Sequence, residues 1–465
     1  MANEQSFDVV VIGAGPAGYV AAIRAAQLGR SVACVEREFL GGTCLNVGCI
    51  PSKALLDASE HLAWIREGAA KVGIVVGDVS VDWPTMQKHR AKVVDASTKG
   101  VAYLFKKHGI AHLAGEGGFV EPGLIEVTGT DAATRVRYGA AIVATGSAPI
   151  ALPGAPFDGT RVISSTEGLA LGEIPQKLVV VGGGYIGLEM GSVYQRVGTK
   201  VTIVEALDTI LPGMDPDLSK EGSKVFKKQG LDIRVGTKVT GIETGTSGVA
   251  VTVAGAAGTE TLEADAVLVA IGRKPVTNGL AIERVGGERD KKGFVKVDDR
   301  LRAAENVWAI GDVIGGKMLA HKGMEEGVVV AERIAGQDSE MDYVPIPGIV
   351  YTHPEIATVG LTEPEAVEAG HEIKVGRFPF SANGRARCMN ETTGFVKLVA
   401  DAATDRMLGC HILGARAGDL IAELVAVSSF RGSAEDVALT VHAHPTLAEA
   451  VKEAALDVHG QVLHI

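Results

Sequence analysis

The chain has 465 residues, 46% of them hydrophobic and 22% charged, a balance that suits a soluble globular enzyme of several domains. Its formal net charge of −11 argues against nonspecific affinity for nucleic acid or an anionic membrane, and suits a basic protein partner. Five cysteines, no secretory apolar segment and no run long enough to span a bilayer point to a soluble, reducing compartment, the cytoplasm, with Asp8 too near the start for a transit peptide to precede the first strand.

Residues 7–12 are apolar and β-branched and read as a buried parallel strand. The strand runs into Gly13-Ala14-Gly15-Pro16-Ala17-Gly18, then a small-residue helix over about 19–28 and a second strand, 31–36, that ends at Glu36. A lone G-x-G-x-x-G is a weak signal. Here a strand precedes it, a helix follows it, and an acid stands 18 positions past its last glycine (Gly18 to Glu36). That combination is a dinucleotide-binding fingerprint. The glycines let backbone approach a pyrophosphate at the helix N-terminus, and the acid accepts hydrogen bonds from ribose hydroxyls.

Next come two thiols, in Gly41-Gly42-Thr43-Cys44-Leu45-Asn46-Val47-Gly48-Cys49-Ile50-Pro51-Ser52-Lys53. A thiol pair this close, beside a cofactor that takes two electrons, implies a reversible disulfide. On an ideal helix residues i and i+5 lie roughly 8–9 Å apart, whereas a disulfide tolerates about 4.4–6.8 Å between Cα atoms. A bonded pair therefore needs irregular backbone around residues 46–48. Pro51 is expected as the first residue of the following helix, which sets Cys49 at a helix N-terminus where the dipole favours a thiolate. A buried structural cystine is the bland alternative, and it is rare in reducing compartments.

A strand over 141–147 also stops at a glycine, with Thr145, Gly146 and Ser147 at its end, and Pro149 and Pro153 mark a linker. The fingerprint then repeats. Residues 177–181 run into Gly182-Gly183-Gly184-Tyr185-Ile186-Gly187, a helix, and a strand ending at Glu205, again 18 positions past the last glycine (Gly187 to Glu205). No arginine follows Glu205 through Leu211, so a 2′-phosphate is repelled and NAD is preferred over NADP. A run over 266–275 copies the earlier strand end at Gly272, and 306–312 returns to the first cofactor at Asp312, which can hold a polyol hydroxyl of FAD. Met318, Leu319, Ala320 and His321 open the next helix, whose amides favour negative charge on a flavin ring. Lys53 and Glu189 form a plausible buried pair between the two cofactors.

Pro345-Ile346-Pro347 marks a further boundary, after which a strand over 394–400 and helices from about 418 and 446 are expected. In His442-Ala443-His444-Pro445-Thr446-Leu447-Ala448-Glu449 an acid follows His444 by five residues. A carboxylate reaching back one turn fixes the imidazole tautomer and raises its basicity, leaving the other nitrogen to take a thiol proton. His-x-His also has metal-like spacing, but no third ligand stands nearby, so no metal is expected.

With these residues in place, the chain closely resembles the dihydrolipoamide dehydrogenases of the class I pyridine nucleotide–disulfide oxidoreductase family, nearly end to end. The resemblance is most specific over 41–53, 182–191, 308–321 and 442–449. It implies an α/β fold with two Rossmann-like domains, FAD-binding (1–149) and NAD-binding (150–277), a central region (278–346) completing the FAD site, and an α+β interface domain (347–465). It implies a homodimer in which Cys49 lies against the flavin, Cys44 exchanges with substrate, and His444 of the second subunit, supported by Glu449, is the base. By the same resemblance Gly13, Gly15, Gly18, Glu36, Gly42, Thr43, Lys53, Gly117, Thr145, Gly146, Ser147, Asp312, Met318, Leu319, Ala320 and His321 hold FAD. Gly182, Gly184, Tyr185, Ile186, Gly187, Glu189, Glu205, Val239 and Gly272 hold NAD. Implied partners are a lipoylated carrier protein and the acyltransferase core of a 2-oxoacid dehydrogenase complex, or a glycine-cleavage carrier. Ala448 departs from the serine many relatives carry. Glutathione reductase-like enzymes, which use NADPH, are disfavoured by Glu205. Mercuric and high-molecular-weight thioredoxin reductases need a cysteine pair beyond Cys410, where this chain has none. A redox-inert flavoprotein scaffold has no use for Cys44, Cys49, His444 and Glu449 together.

Overall fold

The computed structural model describes residues 4–129, 133–246 and 248–465. The first fingerprint lies in a mainly parallel sheet of eight strands among the described residues. Strand Glu4–Ile12 pairs in parallel with Val32–Glu36 on one side and Thr134–Val143 on the other. Val9, Val10 and Val11 are fully buried, as befits a strand covered on both faces. Each such side chain contributes about 1.5–3 kcal/mol over leaving it exposed. Val307–Ala309 adds in parallel beyond Thr134–Val143, so the chain returns to the first sheet after the whole second fold.

The second fold repeats this plan. Lys177–Val181 lies between Lys200–Val204 and Ala266–Val269, all parallel, in a five-stranded sheet with Asp232–Arg234 and Val162–Ile163 at the edges. A three-stranded antiparallel sheet covers it, through a core of Val179, Val181, Val251, Val253 and Val267. The two folds are joined by a two-stranded ribbon, Ser147–Pro149 against Arg273–Pro275. The last part is a five-stranded antiparallel sheet, Gly348–Val350, Glu355–Gly360, Met407–Gly414, Phe395–Asp401 and Ile373–Pro379 in that spatial order. Helices Ala417–Ser429 and Glu449–Asp457 pack on it. No helix among the described residues is long and apolar enough to cross a membrane.

Three helix starts differ from the sequence expectation. The first fingerprint helix, α1, is Pro16–Gln27, beginning within the glycine motif. The cysteines sit on two successive helices, α2 (Gly42–Val47) and α3 (Cys49–Ala63), so Pro51 is the third residue of α3 and not its first. The break is a single residue, Gly48, at φ −144° and ψ −114°. A Cβ there would stand 2.9 Å from the Thr43 carbonyl oxygen. The expected irregular backbone at 46–48 is thus present, compressed into one glycine. The helix expected from 446 begins instead at Glu449, because the Thr446 N–H donates to the Glu449 side chain at 2.8 Å, closing a turn ahead of it. The His444–Pro445 peptide is cis.

Candidate active site

Both fingerprints are built alike. A Cβ on Gly18 would collide with the Gly13 carbonyl, and one on Gly187 with the Gly182 carbonyl, so helix and strand approach as only glycine permits. The acid closes each loop: Glu36 accepts from the Ala14 N–H at 2.8 Å and the Glu38 N–H at 2.9 Å. Glu205 accepts from the Gly183 N–H at 2.7 Å and the Leu207 N–H at 2.9 Å. Each carboxylate oxygen keeps a lone pair for a ligand hydroxyl. The middle glycines face open space. A Cβ on Gly184 meets nothing within 4 Å, and on Gly15 only the Gly42 Cα at 4.0 Å. A pyrophosphate therefore has room at both helix N-termini, and the residues fit two dinucleotides.

At the first site Gly13, Glu36, Gly117 and Thr145 line one cavity of 60 Å³. Ser147 donates to Asp312 at 2.5 Å, leaving the other Asp312 oxygen for a polyol hydroxyl. Arg273, which sequence reasoning passed over although it directly follows Gly272, donates to the Ser147 hydroxyl and carbonyl, each at 2.7 Å. Gly146 has φ +71° and Thr145 donates to the Val276 carbonyl at 2.6 Å. Leu319 precedes the helix Ala320–Ile334, and the His321 ring bonds to the Pro347 carbonyl at 2.8 Å. Met318 is half-buried just ahead of it. At the second site Tyr185 and Ile186 open the helix Tyr185–Val197. Gly272 lies three residues past the parallel strand Ala266–Val269 and directly before the ribbon strand Arg273–Pro275, and Val239 lies in the covering sheet. Arg234, the nearest downstream arginine, is taken up by Asp232 and Glu260, so it is not free to hold a 2′-phosphate.

The cysteine segment is pressed onto the first fingerprint, since a Cβ on Gly42 would lie 2.6 Å from the Gly15 Cα. Thr43 and Gly48 therefore face each other beside the nucleotide loop. Both cysteines are free thiols, each partly buried. The Cys44 thiol hydrogen-bonds to the Cys49 sulfur, which with nearby Lys53 outweighs burial and lowers Cys49 from 9.0 to about 7. The same bond and burial raise Cys44. The two thiols are thus shifted in opposite directions, which favours ionisation at Cys49 over Cys44. Lys53 bonds both oxygens of Glu189, at 3.0 and 2.8 Å, across 136 positions of sequence. The pair expected from the sequence is thus assembled, with Glu189 buried.

His444 and Glu449 also meet, Nδ1 to Oε1 at 2.8 Å. Yet His444 is 78% exposed, its Nε2 turned outward from its own chain.

Two nucleotide loops flanking a thiol pair define a flavin- and nicotinamide-linked disulfide oxidoreductase. The chain belongs to the pyridine nucleotide-disulphide oxidoreductase family, which it matches over residues 7–327, with that family's dimerisation domain over 346–455. It is an oxidoreductase whose cofactors are FAD and NAD. It is 48% identical to dihydrolipoyl dehydrogenase 3 of Pseudomonas aeruginosa, over 99% of each chain. It is 47% identical to the mitochondrial dihydrolipoyl dehydrogenase of Pisum sativum, over 98% of this chain and 92% of that one. Among solved structures, LpdA from Mycobacterium tuberculosis superposes with a TM-score of 0.90 at 27% identity, over 97% of this chain and 99% of that one.

Proposed function

We propose that this chain is a dihydrolipoyl dehydrogenase, oxidising a carrier-bound dihydrolipoyl group to the cyclic disulfide and reducing NAD+. The observation that carries the reading is the polarised Cys44–Cys49 pair beside Lys53–Glu189, together with near-full-length similarity to enzymes of that name. The active unit is a homodimer, because the outward His444 needs a second copy to supply the sulfur it serves. We take 1–149, 150–277, 278–346 and 347–465 as its four working regions, and a reducing cytoplasm as its setting. The carrier belongs to a 2-oxoacid dehydrogenase complex, with its acyltransferase core, or to glycine cleavage.

In the oxidised enzyme the cysteines share a disulfide. His444 Nε2 takes the proton of one dihydrolipoyl thiol, and only the resulting thiolate exchanges at useful rates. Its sulfur attacks Cys44, the Cys44–Cys49 bond breaks, and Cys49 leaves as the stabilised thiolate. The second lipoyl sulfur then displaces Cys44; the leaving Cys44 takes the proton held by His444, and His444 in turn accepts the proton of the second thiol, so the substrate's two protons end on Cys44 and His444. The substrate has lost two electrons and the enzyme pair has gained them. When bound, FAD supplies the acceptor that reoxidises the pair, and NAD+ removes the electrons as hydride. Glu449 holds Nδ1–H so that Nε2 stays the free base. Glu205 selects NAD by leaving no cation for a 2′-phosphate.

Purified protein given dihydrolipoamide and NAD+ is expected to form NADH, with little NADPH from NADP+. No NADH above the rate with glutathione as donor overturns the assignment.

A further inference from the structure

The turn joining strands Gly348–Val350 and Glu355–Gly360 belongs to the C-terminal sheet, but it is fastened to all the parts that build the electron-transfer site. The Tyr351 N–H donates to Glu189 Oε1 at 3.0 Å. The Tyr351 ring lies beneath the Lys53 ammonium, 4.5 Å from Nζ to the ring centroid. Thr352 is 1% exposed and closes the turn on the Pro354 carbonyl at 2.8 Å. The His353 ring bridges Glu60 of α3 at 3.0 Å and Glu391 at 3.1 Å. Its carbonyl accepts from the Gln229 amide at 2.7 Å.

A lysine ammonium on a four-carbon stem is a mobile point charge. Here the Glu189 carboxylate takes it on one side and an aromatic face on another, while the carboxylate is itself held by the Tyr351 peptide. The ring quadrupole attracts a cation without accepting its proton, so it holds the ammonium in one place. The phenol hydroxyl takes no part in this arrangement.

We propose that Tyr351 is a positioning residue of the electron-transfer site, supplied by the C-terminal domain, whose ring and peptide N–H fix the Lys53–Glu189 pair. This rests on the reading of Lys53–Glu189 as the pair beside the flavin. Tyr351 acts through Lys53 and is not a catalytic acid.

The test uses the flavin-loaded dimer with Tyr351 replaced by phenylalanine, by leucine, and by phenylalanines of increasing ring fluorination. Fluorination drains the ring quadrupole while keeping its size. The readouts are the rate of flavin reduction by NADH, the KM for NADH, and the flavin absorption maximum. Tyr351→Phe is expected to stay within about twofold of the parent. Tyr351→Leu and the most fluorinated ring are expected to slow reduction about tenfold, with KM little changed and the flavin band shifted. Rates should fall stepwise along the fluorinated series, which also decides the matter if Tyr351→Leu fails to retain flavin. Rates and spectra that ignore ring electron density overturn the proposal. So does a Tyr351→Phe variant as slow as Tyr351→Leu, which would make the hydroxyl the working group. Because NADH drives this half-reaction without a lipoyl substrate, an enzyme inert to dihydrolipoamide would sink the assigned activity and leave this test standing.

Discussion

The two nucleotide folds are nearly the same object. Each has three glycines, a helix pressed onto the first of them, and an acid that closes the loop through two backbone N–H groups, at 2.8 and 2.9 Å for Glu36 and 2.7 and 2.9 Å for Glu205. They differ in what is attached. The first fold is followed at once by α2 and α3, which press the thiol pair onto its glycine loop through Gly42 and Gly15. The second carries no such insertion, and its helix Tyr185–Val197 is buried along most of its length against α3 of the first. Nucleotide binding is thus a repeated backbone device, while the chemistry lies in the segment added to one copy and in the packing between the two.

This difference can be broken apart by substitution. The largest effect is expected from Gly18→Val, which drives a side chain into the Gly13 carbonyl and should leave protein without flavin and without activity. Gly187→Val makes the same clash in the other copy and should keep flavin while losing reduction by NADH. Absorbance of the purified proteins separates the two, and matching flavin contents would refute the division of labour. Next, His444→Ala should retain flavin and lose about 10²–10⁴-fold in dihydrolipoamide turnover, the usual scale of a general base. Near-parental turnover removes the base assignment. Glu205→Arg should shift the NADPH-to-NADH preference by roughly tenfold or more without touching flavin content, and unchanged selectivity means the ribose contact is elsewhere.

Two smaller effects follow pH. Cys49 is held down from 9.0 to about 7 by the Cys44 hydrogen bond against burial, with help from Lys53. Its thiolate stabilisation is therefore present above 9 and lost as pH falls through 7. Alkylation of the reduced enzyme should show an inflection near pH 7 that Lys53→Met moves upward, and a profile with no inflection below 8 contradicts the assignment. Burial alone would lower His353, but Glu391 and Glu60 outweigh it and raise it from 6.5 to about 9. Its contribution is complete below pH 6.5 and lost as pH rises through 9. The melting midpoint should fall by a few degrees between pH 7 and 10, on the scale of about 2–4 °C per kcal/mol for a larger domain. Glu60→Gln should flatten that fall.

Much of the site was legible along the chain because its signals are local. Glycines, the strand before them and the acid after them lie within one βαβ unit, so their spacing reports their geometry. The same holds for Cys44 and Cys49, whose expected backbone irregularity is the single break at Gly48. It holds for His444 and Glu449, five positions apart and hydrogen-bonded at 2.8 Å. Helix starts were less legible: α3 was expected from Pro51 and the last helix from about 446, and the backbone places α3 two residues earlier and the last helix three residues later. The break at Gly48 set the first and the Thr446–Glu449 turn the second, and proline alone specifies neither. Tyr351, His353 and Arg273 carried no signal, since a tyrosine in a turn or an arginine after a strand is ordinary anywhere.

The amino-acid order by itself determined two nucleotide-binding folds, a redox-capable thiol pair, an acid closing each glycine loop, and a histidine–carboxylate couple, because each is written in a few adjacent residues. The tertiary structure alone decided that a turn of the last domain reaches in to hold Lys53 and Glu189, which meet across 136 positions. It also decided that Lys53 stands by the thiol pair and that the His444 side chain is exposed on its own chain. Those outcomes depend on how distant helices and sheets pack, and burial and charge at a packed junction have no counterpart in linear spacing.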